Sequence, residues 1–317
     1  MTEILTVTVN PAIDVSTSTD HVEPDRKLRC GAARIDPGGG GINVARAITK
    51  LGGGAKAVIG VGGATGDRLV SMVLAEGVTP VAVSVTGQTR QNLAVTDNQS
   101  GEQYRFSLQG DLWSAADEVS VIDATRLHAS RDGIVVLSGG LAHGMSADFH
   151  GRVQTRLSSI TNKIIVDTCE SALSHLLAHT HTPFHVLRID QHEAAMAVGH
   201  DLGAITDGIQ FGADLIDRGV AEIVVIGRGA KGSLLVSRDR RMFCHAAKVS
   251  VKSKIGAGDA FVGGFTLSLS RAEPLDRALQ WGVAAACATV ETEGTALCTL
   301  PAVEGILPQC RVETFTV

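Results

Sequence analysis

The sequence predicts an α/β protein built on a doubly wound, mostly parallel sheet that is flanked by helices. Short runs rich in β-branched residues alternate with segments of helical periodicity, and several runs are apolar on both faces, as strands buried in a parallel sheet should be. The candidate strands are residues 4–10, 55–63, 133–140, 163–168, 184–189 and 222–229, and the candidate helices are residues 42–51, 67–77 and 275–291.

Two segments, residues 12–36 and about 88–110, break this alternation. Both contain short alternating stretches with turn signals such as Ser100-Gly101. Because they flank one strand–helix unit, we expect them to pair beside the main sheet as a small antiparallel β lid. Such a lid would cover a site, form a dimer surface, or do both. The chain shows no repeat and no low-complexity linker, so we interpret residues 1–317 as a single domain.

The composition excludes several classes of function. The chain has 317 residues, of which 44% are hydrophobic, and its net charge of −5 comes without any block of lysine and arginine. Binding to nucleic acid or to an anionic membrane therefore has no electrostatic support. The N-terminus lacks the basic-then-apolar pattern of a signal peptide, and no apolar run reaches the length that spans a bilayer. We expect a cytoplasmic protein.

The cysteines and one group of histidines do not indicate a disulfide framework or a metal site. The six cysteines are scattered without a CxxC pair, which predicts reduced thiols. Four histidines lie close together in the sequence, but no flanking acidic residue completes a recognisable metal site. We therefore interpret them as solvated residues of a loop or helix end: His175, His179, His181 and His185.

The stretch Gly256-Ala257-Gly258-Asp259 precedes a segment whose apolar spacing predicts a buried helix. One explanation is a simple capped turn, because glycine permits unusual backbone angles and aspartate caps helices. The alternative is an anion site, in which unpaired N–H groups at the helix start bind a phosphate. A carboxylate beside a phosphate then needs a function, and that of a general base in phosphoryl transfer to an alcohol fits.

Four consecutive glycines, residues 38–41, lead into the candidate helix that contains Asn43. A packing turn is one explanation, but four glycines cost more chain entropy than such a turn justifies. We favour a loop that lies flat against a ligand, with the Asn43 side chain offering both donor and acceptor. The run is not a P-loop, since no Gly-Lys-Ser/Thr follows, and not a dinucleotide fingerprint, since no strand is predicted immediately before it.

Several strings in this sequence resemble one known family. GAGDAF at 256–261, PGGGGINVARAI at 37–48 and NPAID at 10–14 are similar to motifs of the ribokinase-like (pfkB) sugar kinases, and the similarity covers essentially the whole chain. Within that family, further strings resemble the branch that contains the minor bacterial type of 6-phosphofructokinase. These strings are KLRC at 27–30, GGATGD at 62–67, TRQN at 89–92 and SGEQYRF at 100–106.

The resemblance implies roles for residues on the sugar side. Asp259 would be the catalytic base, beside an anion hole formed by Gly256, Ala257 and Gly258. The sugar would be bound by the residues that match the family's sugar motifs, Asp14, Gly38, Gly39, Asn43 and Ser138. Its phosphate would be bound by cations of the two lid segments, Lys27, Arg29, Arg90 and Arg105.

On the nucleotide side, the resemblance implies that Glu193 orients Mg²⁺ and the phosphates of ATP. The nucleotide itself would contact Arg188, Asp190, Gly227, Gly229, Gly232 and Ser253, and a monovalent cation such as K⁺ would lie at Ser253, Ile255 and Gly294. Several positions depart from the family pattern. Asp190 replaces an asparagine, Arg188-Ile189 replaces a common Lys-Pro, Gly227 replaces a serine or threonine, and Ala296 stands near the position of an expected basic residue. The added negative charge should repel ATP unless Mg²⁺ or Arg188 compensates it.

We therefore expect an ATP-dependent sugar-phosphate kinase that acts as a homodimer through the lid. The resemblance implies transfer of the γ-phosphoryl group to a ketohexose phosphate, with fructose 6-phosphate first and fructose 1-phosphate or tagatose 6-phosphate as alternatives. A sugar-phosphate sensor with weak catalysis is an alternative of another class, suggested by Asp190 and Gly227. A dinucleotide-dependent oxidoreductase would need a GxGxxG after the first strand, where NPAID stands instead.

Overall fold

The computed structural model describes residues 2–179 and 182–316. In this part of the chain the strands are β1 (Ile4–Thr8), β2 (Ala12–Thr19), β3 (Arg34–Gly38), β4 (Lys56–Val61), β5 (Thr79–Ser84), β6 (Arg90–Asp97), β7 (Gln103–Ser107), β8 (Ile134–Ser138), β9 (Ile164–Asp167), β10 (Phe184–Asp190), β11 (Ala221–Gly227), β12 (Gly232–Ser237), β13 (Arg241–His245) and β14 (Val312–Phe315). The helices are α1 (Gly40–Lys50), α2 (Gly63–Ala75), α3 (Ala115–His128), α4 (Phe149–Leu157), α5 (Glu170–Ala178), α6 (Gln191–Val198), α7 (Ile205–Asp217), α8 (Ala257–Ser270), α9 (Leu275–Val290) and α10 (Leu300–Ile306).

The main sheet has ten strands in the order β14-β13-β12-β11-β10-β9-β8-β1-β4-β5. From β11 to β5 all neighbours are parallel, and β12, β13 and β14 add antiparallel pairs at one edge. Strand β1 lies inside the parallel part, with Val7 opposite Val58 on one side and Leu137 on the other. The predicted fold class is confirmed, and the six candidate strands and three candidate helices are present.

Helices cover both faces of this sheet, which explains why the central strands lack a polar face. On one face, α1, α8 and α9 bury residues such as Ile48, Phe265 and Ala284 against the strands. On the other face, α3 and α4 bury Val121 and Phe149 in a second apolar cluster. Because both faces are covered, apolar side chains at successive strand positions are all removed from water. This burial is the main favourable contribution to the free energy of folding.

The two lid segments form a separate four-stranded sheet in the order β3-β2-β6-β7, so the predicted small sheet is present. Its outer pairs are antiparallel as predicted, but the central pair, β2 with β6, is parallel. The physical reason is the connection. No hairpin joins β2 to β6, because β3, α1, β4, α2 and β5 lie between them, and a long crossover permits a parallel pair.

The glycine run also differs from its prediction, because a strand does precede it. Strand β3 ends at Gly38 and α1 begins at Gly40. This strand belongs to the lid and not to the parallel sheet, so the strand–turn–helix of a dinucleotide fold is still not formed here. Alternation in β3 was too short for the sequence pattern to separate it from a loop.

Three expectations about special features can be compared with the described residues. None of the helices there combines the length and the apolar character needed to cross a membrane. The cysteines are free thiols. Within residues 2–179 and 182–316, no cluster of histidine, cysteine and acidic side chains could hold a metal; His175 and His179 stack with their ring centroids 4.0 Å apart, and His181 lies outside the described residues.

Candidate active site

The predicted site residues converge at the carboxyl ends of the parallel strands. Ser138 ends β8, Arg188 lies near the end of β10, and Gly227 ends β11. Helix α8 begins beside them at Ala257, and the lid covers the neighbouring edge. In open α/β sheets, ligands bind in this crevice because strand ends and helix N-termini place backbone and side-chain donors around it.

The backbone of Gly256 and the contacts of Asp259 test the explanation of residues 256–259 as a simple capped turn. Gly256 has φ 76° and ψ 0°, a left-handed conformation that favours glycine, and it precedes the first residue of α8. Asp259 is the third residue of the helix, and no side chain caps this helix start. Its Oδ2 instead accepts a hydrogen bond from Asn43 Nδ2 at 2.9 Å. A simple aspartate-capped turn is therefore wrong for this stretch.

The carboxylate of Asp259 lies in an environment that disfavours its charge. Burial raises its pKa to about 7, and the neighbouring carboxylates of Asp167 and Asp14 add to the rise. The amide of Asn43 and the guanidinium of Arg188 act in the opposite direction. A carboxyl group with a pKa near neutrality can both take and release a proton at physiological pH, which suits a general base.

The first glycine run lies against two of the predicted sugar-binding residues. A Cβ at Gly38 would lie 2.1 Å from Oδ2 of Asp14, and one at Gly40 would lie 2.5 Å from Oγ of Ser138. Gly39 has φ 116°, a backbone angle that residues with a side chain rarely adopt. These positions require glycine because the backbone passes directly over the side chains below it. The loop therefore lies closely against the side chains of Asp14 and Ser138, and its contact with a ligand stays a prediction.

Asp14, which lies against this glycine loop, is on strand β2 of the lid. Its Oδ1 accepts a hydrogen bond from Asn92 Nδ2 at 2.8 Å, across the parallel β2–β6 pair. Burial raises the pKa of Asp14, while the Asn92 hydrogen bond and the charges of Arg90 and Arg105 oppose the rise. The structure thus brings together a partly buried acceptor, an amide and two cations of the lid.

The four predicted lid cations do not share one environment. Arg105 lines a small cavity of about 90 Å³ together with Asp14 and Asn92. Arg90 is half-buried and donates to Asn92 Oδ1 at 2.9 Å and Ser107 Oγ at 3.0 Å, while its Nε is buried without a partner in the described residues. Lys27 and Arg29 are exposed in the loop between β2 and β3. The structure brings only the first two to Asp14.

A cavity of about 530 Å³ lies beside the start of α8 and contains most of the predicted nucleotide residues. Arg188, Lys248 and Lys254 supply cations to its lining, and apolar side chains such as Phe261 and Val290 also line it. The other predicted residues on its wall are Gly227, Gly229, Gly232, Ala257 and Gly258. A lining that combines cations with apolar side chains suits the phosphates and the base of a nucleotide.

The two departures at Arg188 and Gly227 are explained by one contact. A Cβ at Gly227 would lie 3.1 Å from Arg188 Nη2, and a Cβ at Gly258 would lie 3.2 Å from the same atom. The guanidinium therefore occupies the space between two glycines, where a serine or threonine side chain at 227 would crowd it. Asp167 fixes it from the side, because Arg188 Nη1 donates to Asp167 Oδ1 at 3.0 Å.

Asp190 and Glu193 form the first turn of α6. Asp190 Oδ1 accepts from the Glu193 N–H at 2.8 Å, and Glu193 Oε2 accepts from the Asp190 N–H at 2.9 Å, a reciprocal capping box. Burial raises the pKa of Glu193, and the charges of Asp190 and Asp167 contribute to the rise. Asp190 therefore replaces asparagine in a position where the helix N-terminus stabilises a negative charge.

The residues predicted for a monovalent cation also lie together. Ser253 Oγ donates to the carbonyl of Gly294 at 2.8 Å and accepts from the N–H of Ile255 at 3.2 Å. Gly294 has φ 59°, so a glycine is favoured at this turn. Hydroxyl and carbonyl oxygens are the ligands that such ions use; Ser253 lies shortly before α8, and Gly294 follows α9.

Sequence reasoning missed four residues that the structure places in the site. Asp167 pairs with Arg188 and accepts from Ser138 Oγ at 3.2 Å, and Lys254 lines the large cavity. Asn92 holds Asp14, and Arg46 holds Asn43. Asp167 could have been found, because it ends the predicted strand 163–168. Arg46 could not, because an arginine inside a helical pattern resembles a surface residue.

Comparison with known proteins assigns the family. The family model described as pfkB family carbohydrate kinase matches residues 6–302, which is most of the chain. The chain belongs to the pfkB family of carbohydrate kinases. This pfkB kinase is 36% identical over 301 residues to the ATP-dependent 6-phosphofructokinase isozyme 2 of Mycobacterium tuberculosis, covering 95% of this chain and 88% of that protein.

Two further comparisons concern Escherichia coli and Xanthomonas campestris. The crystal structure of phosphofructokinase-2 from E. coli in complex with potassium has a TM-score of 0.91 and 34% identity to this pfkB kinase, covering 98% of this chain and 99% of that one. The 1-phosphofructokinase of X. campestris is 32% identical over 272 residues, covering 84% of each chain. Another crystal structure of the E. coli protein is described as a tetrameric inhibited form.

The buried charge of Asp259 predicts a pH-dependent stability difference. The folded state holds the Asp259 proton up to a pKa of about 7, whereas the unfolded chain releases it near 3.8, so this group lowers stability as pH rises between these values. At pH 8 we expect Asp259→Asn to have a higher urea midpoint than the wild type, with a free energy of unfolding larger by up to roughly 4 kcal/mol. At pH 4 the two urea midpoints should be equal.

Asp217→Asn is the matched control, because Asp217 is exposed at the end of α7. Its midpoint should equal that of the wild type at both pH values. Equal midpoints of Asp259→Asn and wild type at pH 8 would contradict the assignment of a buried, charge-disfavouring site.

Proposed function

We propose that this pfkB kinase transfers the γ-phosphoryl group of ATP to fructose 6-phosphate and forms fructose 1,6-bisphosphate. The observation that supports this best is the position of Asp259. Its carboxylate contacts Asn43, a predicted sugar residue, and lies within the electrostatic reach of Arg188, which lines the nucleotide cavity. The acid thus lies between an acceptor pocket and a donor pocket, as transfer between two ligands requires.

The residues of the site divide the chemical work. Asp259 takes the proton of the attacking hydroxyl, and Oδ1 is the oxygen available for it because Oδ2 is held by Asn43. The N–H groups at the start of α8 and the guanidinium of Arg188 stabilise the negative charge of the transferring phosphoryl group. Gly256 and Gly258 allow that group to approach the backbone closely. The phosphate of the sugar is bound by Arg90 and Arg105, near Asp14.

The residues present fit a magnesium ion that is held mainly through water and phosphate oxygens. Glu193 is half-buried near Asp167 and Asp190, and only one of its two oxygens is used by the capping box. Mg²⁺ typically uses one or two carboxylates together with waters and substrate phosphates, so a complete protein cage is not required. When bound, the ion would neutralise phosphate charge. Ser253 and Gly294 fit a monovalent cation such as K⁺ in the adjoining loop.

The alternative sugars keep the same chemistry. The relatives include proteins named 1-phosphofructokinase as well as proteins named 6-phosphofructokinase isozyme 2, and the identity is higher for the latter. The non-catalytic alternative was suggested by Asp190 and Gly227. The argument from these two residues for weak catalysis is itself weakened, because Gly227 accommodates Arg188 and the α6 N-terminus stabilises the charge of Asp190.

A panel of sugar phosphates tests the substrate. In a coupled assay of ADP release, we expect the highest kcat/KM with fructose 6-phosphate, and values at least about tenfold lower with fructose 1-phosphate and tagatose 6-phosphate, since one displaced polar group in such a pocket costs about 1–3 kcal/mol. A preference for another sugar phosphate would change the substrate and leave the kinase chemistry. Tight sugar-phosphate binding by calorimetry without Mg²⁺–ATP binding would favour the sensor.

Replacement of the base tests the mechanism. We expect Asp259→Asn to lower kcat by about 10²–10⁴, because it removes proton transfer and keeps the shape of the side chain. In the wild type, kcat/KM should rise with pH up to about 7 and then level off, since the base must be ionised and burial raises its pKa to that value. A variant that keeps kcat within tenfold of wild type would exclude Asp259 as the base.

An apolar row across one face of the lid supports the proposal of a homodimer. Ile35, Val15, Leu93 and Phe106 are aligned across all four strands in one row. Phe106 is 51% exposed, and Ile35 and Leu93 are also exposed. An apolar row of this kind across a small sheet marks a surface for association, and a second copy of the same lid matches it in chemistry.

A charge at the most exposed end of this row should prevent association. We expect the wild type to have twice the chain mass of 33.0 kDa in light scattering at micromolar concentration, and Phe106→Glu to have the mass of one chain. Leu127→Glu is the control, because Leu127 is 79% exposed on α3, away from the lid. A monomeric wild type, or a Phe106→Glu variant with the wild-type mass, would exclude the lid as the dimer surface.

A further inference from the structure

Arg46 is a fully buried cation in the middle of α1, and its side chain is only 1% exposed. Its Nη1 donates to Asn43 Oδ1 at 3.0 Å and to the carbonyl of Pro37 at 3.1 Å. Its Nε donates to Glu76 Oε2 at 3.2 Å, at the end of α2. Asp36 Oδ1 lies 3.7 Å from Nη2, as a second counter-charge. One guanidinium thus joins the glycine loop, the first turn of α1 and the end of α2.

The contact with Arg46 determines how the Asn43 amide is turned. A guanidinium can only donate hydrogen bonds, so it must face the oxygen of the amide. An ionised carboxylate can only accept, so Asp259 must face the nitrogen. The observed pairs satisfy both requirements, Arg46 to Oδ1 and Nδ2 to Asp259 Oδ2. A reversed amide would place its oxygen against the carboxylate and its NH₂ against the cation, and both contacts would be repulsive.

We propose that Arg46 is a positioning residue for phosphoryl transfer, which fixes the Asn43 amide so that it holds one oxygen of Asp259 and leaves the other for the acceptor hydroxyl. This inference rests on the proposed function, because it assigns Asp259 as the base. Arg46 touches neither the base nor the cavities; its effect is transmitted through Asn43.

The energetic cost of Arg46 supports a role beyond stability. Removing a guanidinium from water is costly, and a buried ion pair is often no more stable than well-packed apolar side chains. Here two carboxylates, Asp36 and Glu76, are needed to compensate one cation. Asp36 is further occupied by Arg34 and by the hydroxyl of Thr295. An apolar residue would fill the same space but could not orient the amide of Asn43.

The arrangement also sets the charge balance around Asp259. Burial and the charges of Asp167 and Asp14 raise the pKa of Asp259. The Asn43 amide and the Arg188 guanidinium lower it. Losing the amide donor should therefore raise the pKa of Asp259 further. The base would then need a higher pH to be ionised, although no residue in contact with it had been changed.

Two substitutions of Arg46 test the inference. Arg46→Met fills the space without a donor, and Arg46→Lys keeps the charge but cannot reach Asn43, Pro37 and Glu76 together. In both we expect kcat to fall about 10–100-fold, with KM for ATP within about threefold of wild type. The acid limb of the kcat profile should move to higher pH by about one pH unit, the equivalent of one hydrogen bond.

Arg152→Met is the matched control. Arg152 pairs with the buried Glu118 between α3 and α4, and neither residue lines the nucleotide cavity. The Arg152 side chain is 35% exposed, so this variant loses an ion pair to a buried carboxylate with less desolvation of the cation. We expect this variant to be less stable to urea, with kcat and its pH profile unchanged. If Arg46→Met does not fold, Arg46→Lys, which retains the charge, carries the test.

The outcomes separate this inference from the proposed function. A folded Arg46→Lys with wild-type kcat and an unmoved acid limb would overturn the positioning role, even if Asp259→Asn is inactive. If the wild type phosphorylates no sugar phosphate, the proposed function fails. The crystal structure of Arg46→Met then decides whether Arg46 positions the Asn43 amide. Retention of the 2.9 Å contact between Asn43 and Asp259 in that crystal would overturn the inference, whereas a turned amide or a lost contact would support it.

Discussion

The site depends on one partly buried carboxylate at the start of a helix. Asp259 lies in the first turn of α8 with part of its surface exposed, and the helix dipole favours its negative charge while burial opposes it. Its ionised form is kept accessible by few contacts, the amide of Asn43 and the nearby guanidinium of Arg188. Each of these comes from a different element, so the base exists only when α1, β10 and α8 are assembled. Folding and the acidity of the site are therefore coupled.

Glycine provides the space in which this arrangement is possible. Backbone passes over Asp14 and Ser138 at distances that leave no room for a Cβ, and beside Arg188 a Cβ would make tight contacts of 3.1–3.2 Å. The glycines are thus required by close approach, in addition to the freedom needed at Gly39 and Gly256. An active site formed by backbone is rigid, because main-chain atoms are held by the sheet and by α1. This rigidity is useful where two ligands must meet at fixed separation.

Much of this organisation could be predicted from the sequence. Apolar runs identified the central strands, and the two glycine stretches identified both sides of the site, because small residues before a helix have few other purposes. The parallel β2–β6 pair could not be predicted, since strand direction depends on a long connection that carries no local signal. Strand β3 was missed because it is short and contains Pro37 and Gly38.

Side-chain partnerships were the hardest to predict. Asp167 pairs with Arg188, 21 residues away in sequence, and no neighbouring motif marks its role. Arg46 contacts Asn43 within the same motif, but a helical arginine gives no sign in the sequence that its side chain is buried. Lys27 and Arg29 show the opposite case, because their strings are similar to the family but their side chains are exposed in a loop. Their role with the sugar phosphate, and the interpretation of the chain as one domain, stay predictions.

The guanidinium of Arg188 between Gly227 and Gly258 has a consequence for how such sites diverge. A side chain at 227 would bring its Cβ to 3.1 Å from Arg188 Nη2, so the guanidinium would have to shift by a few tenths of an ångström to admit it. The effect of a hydroxyl-bearing residue at 227 therefore depends on which cation stands at 188. The two positions are expected to vary together among related sites.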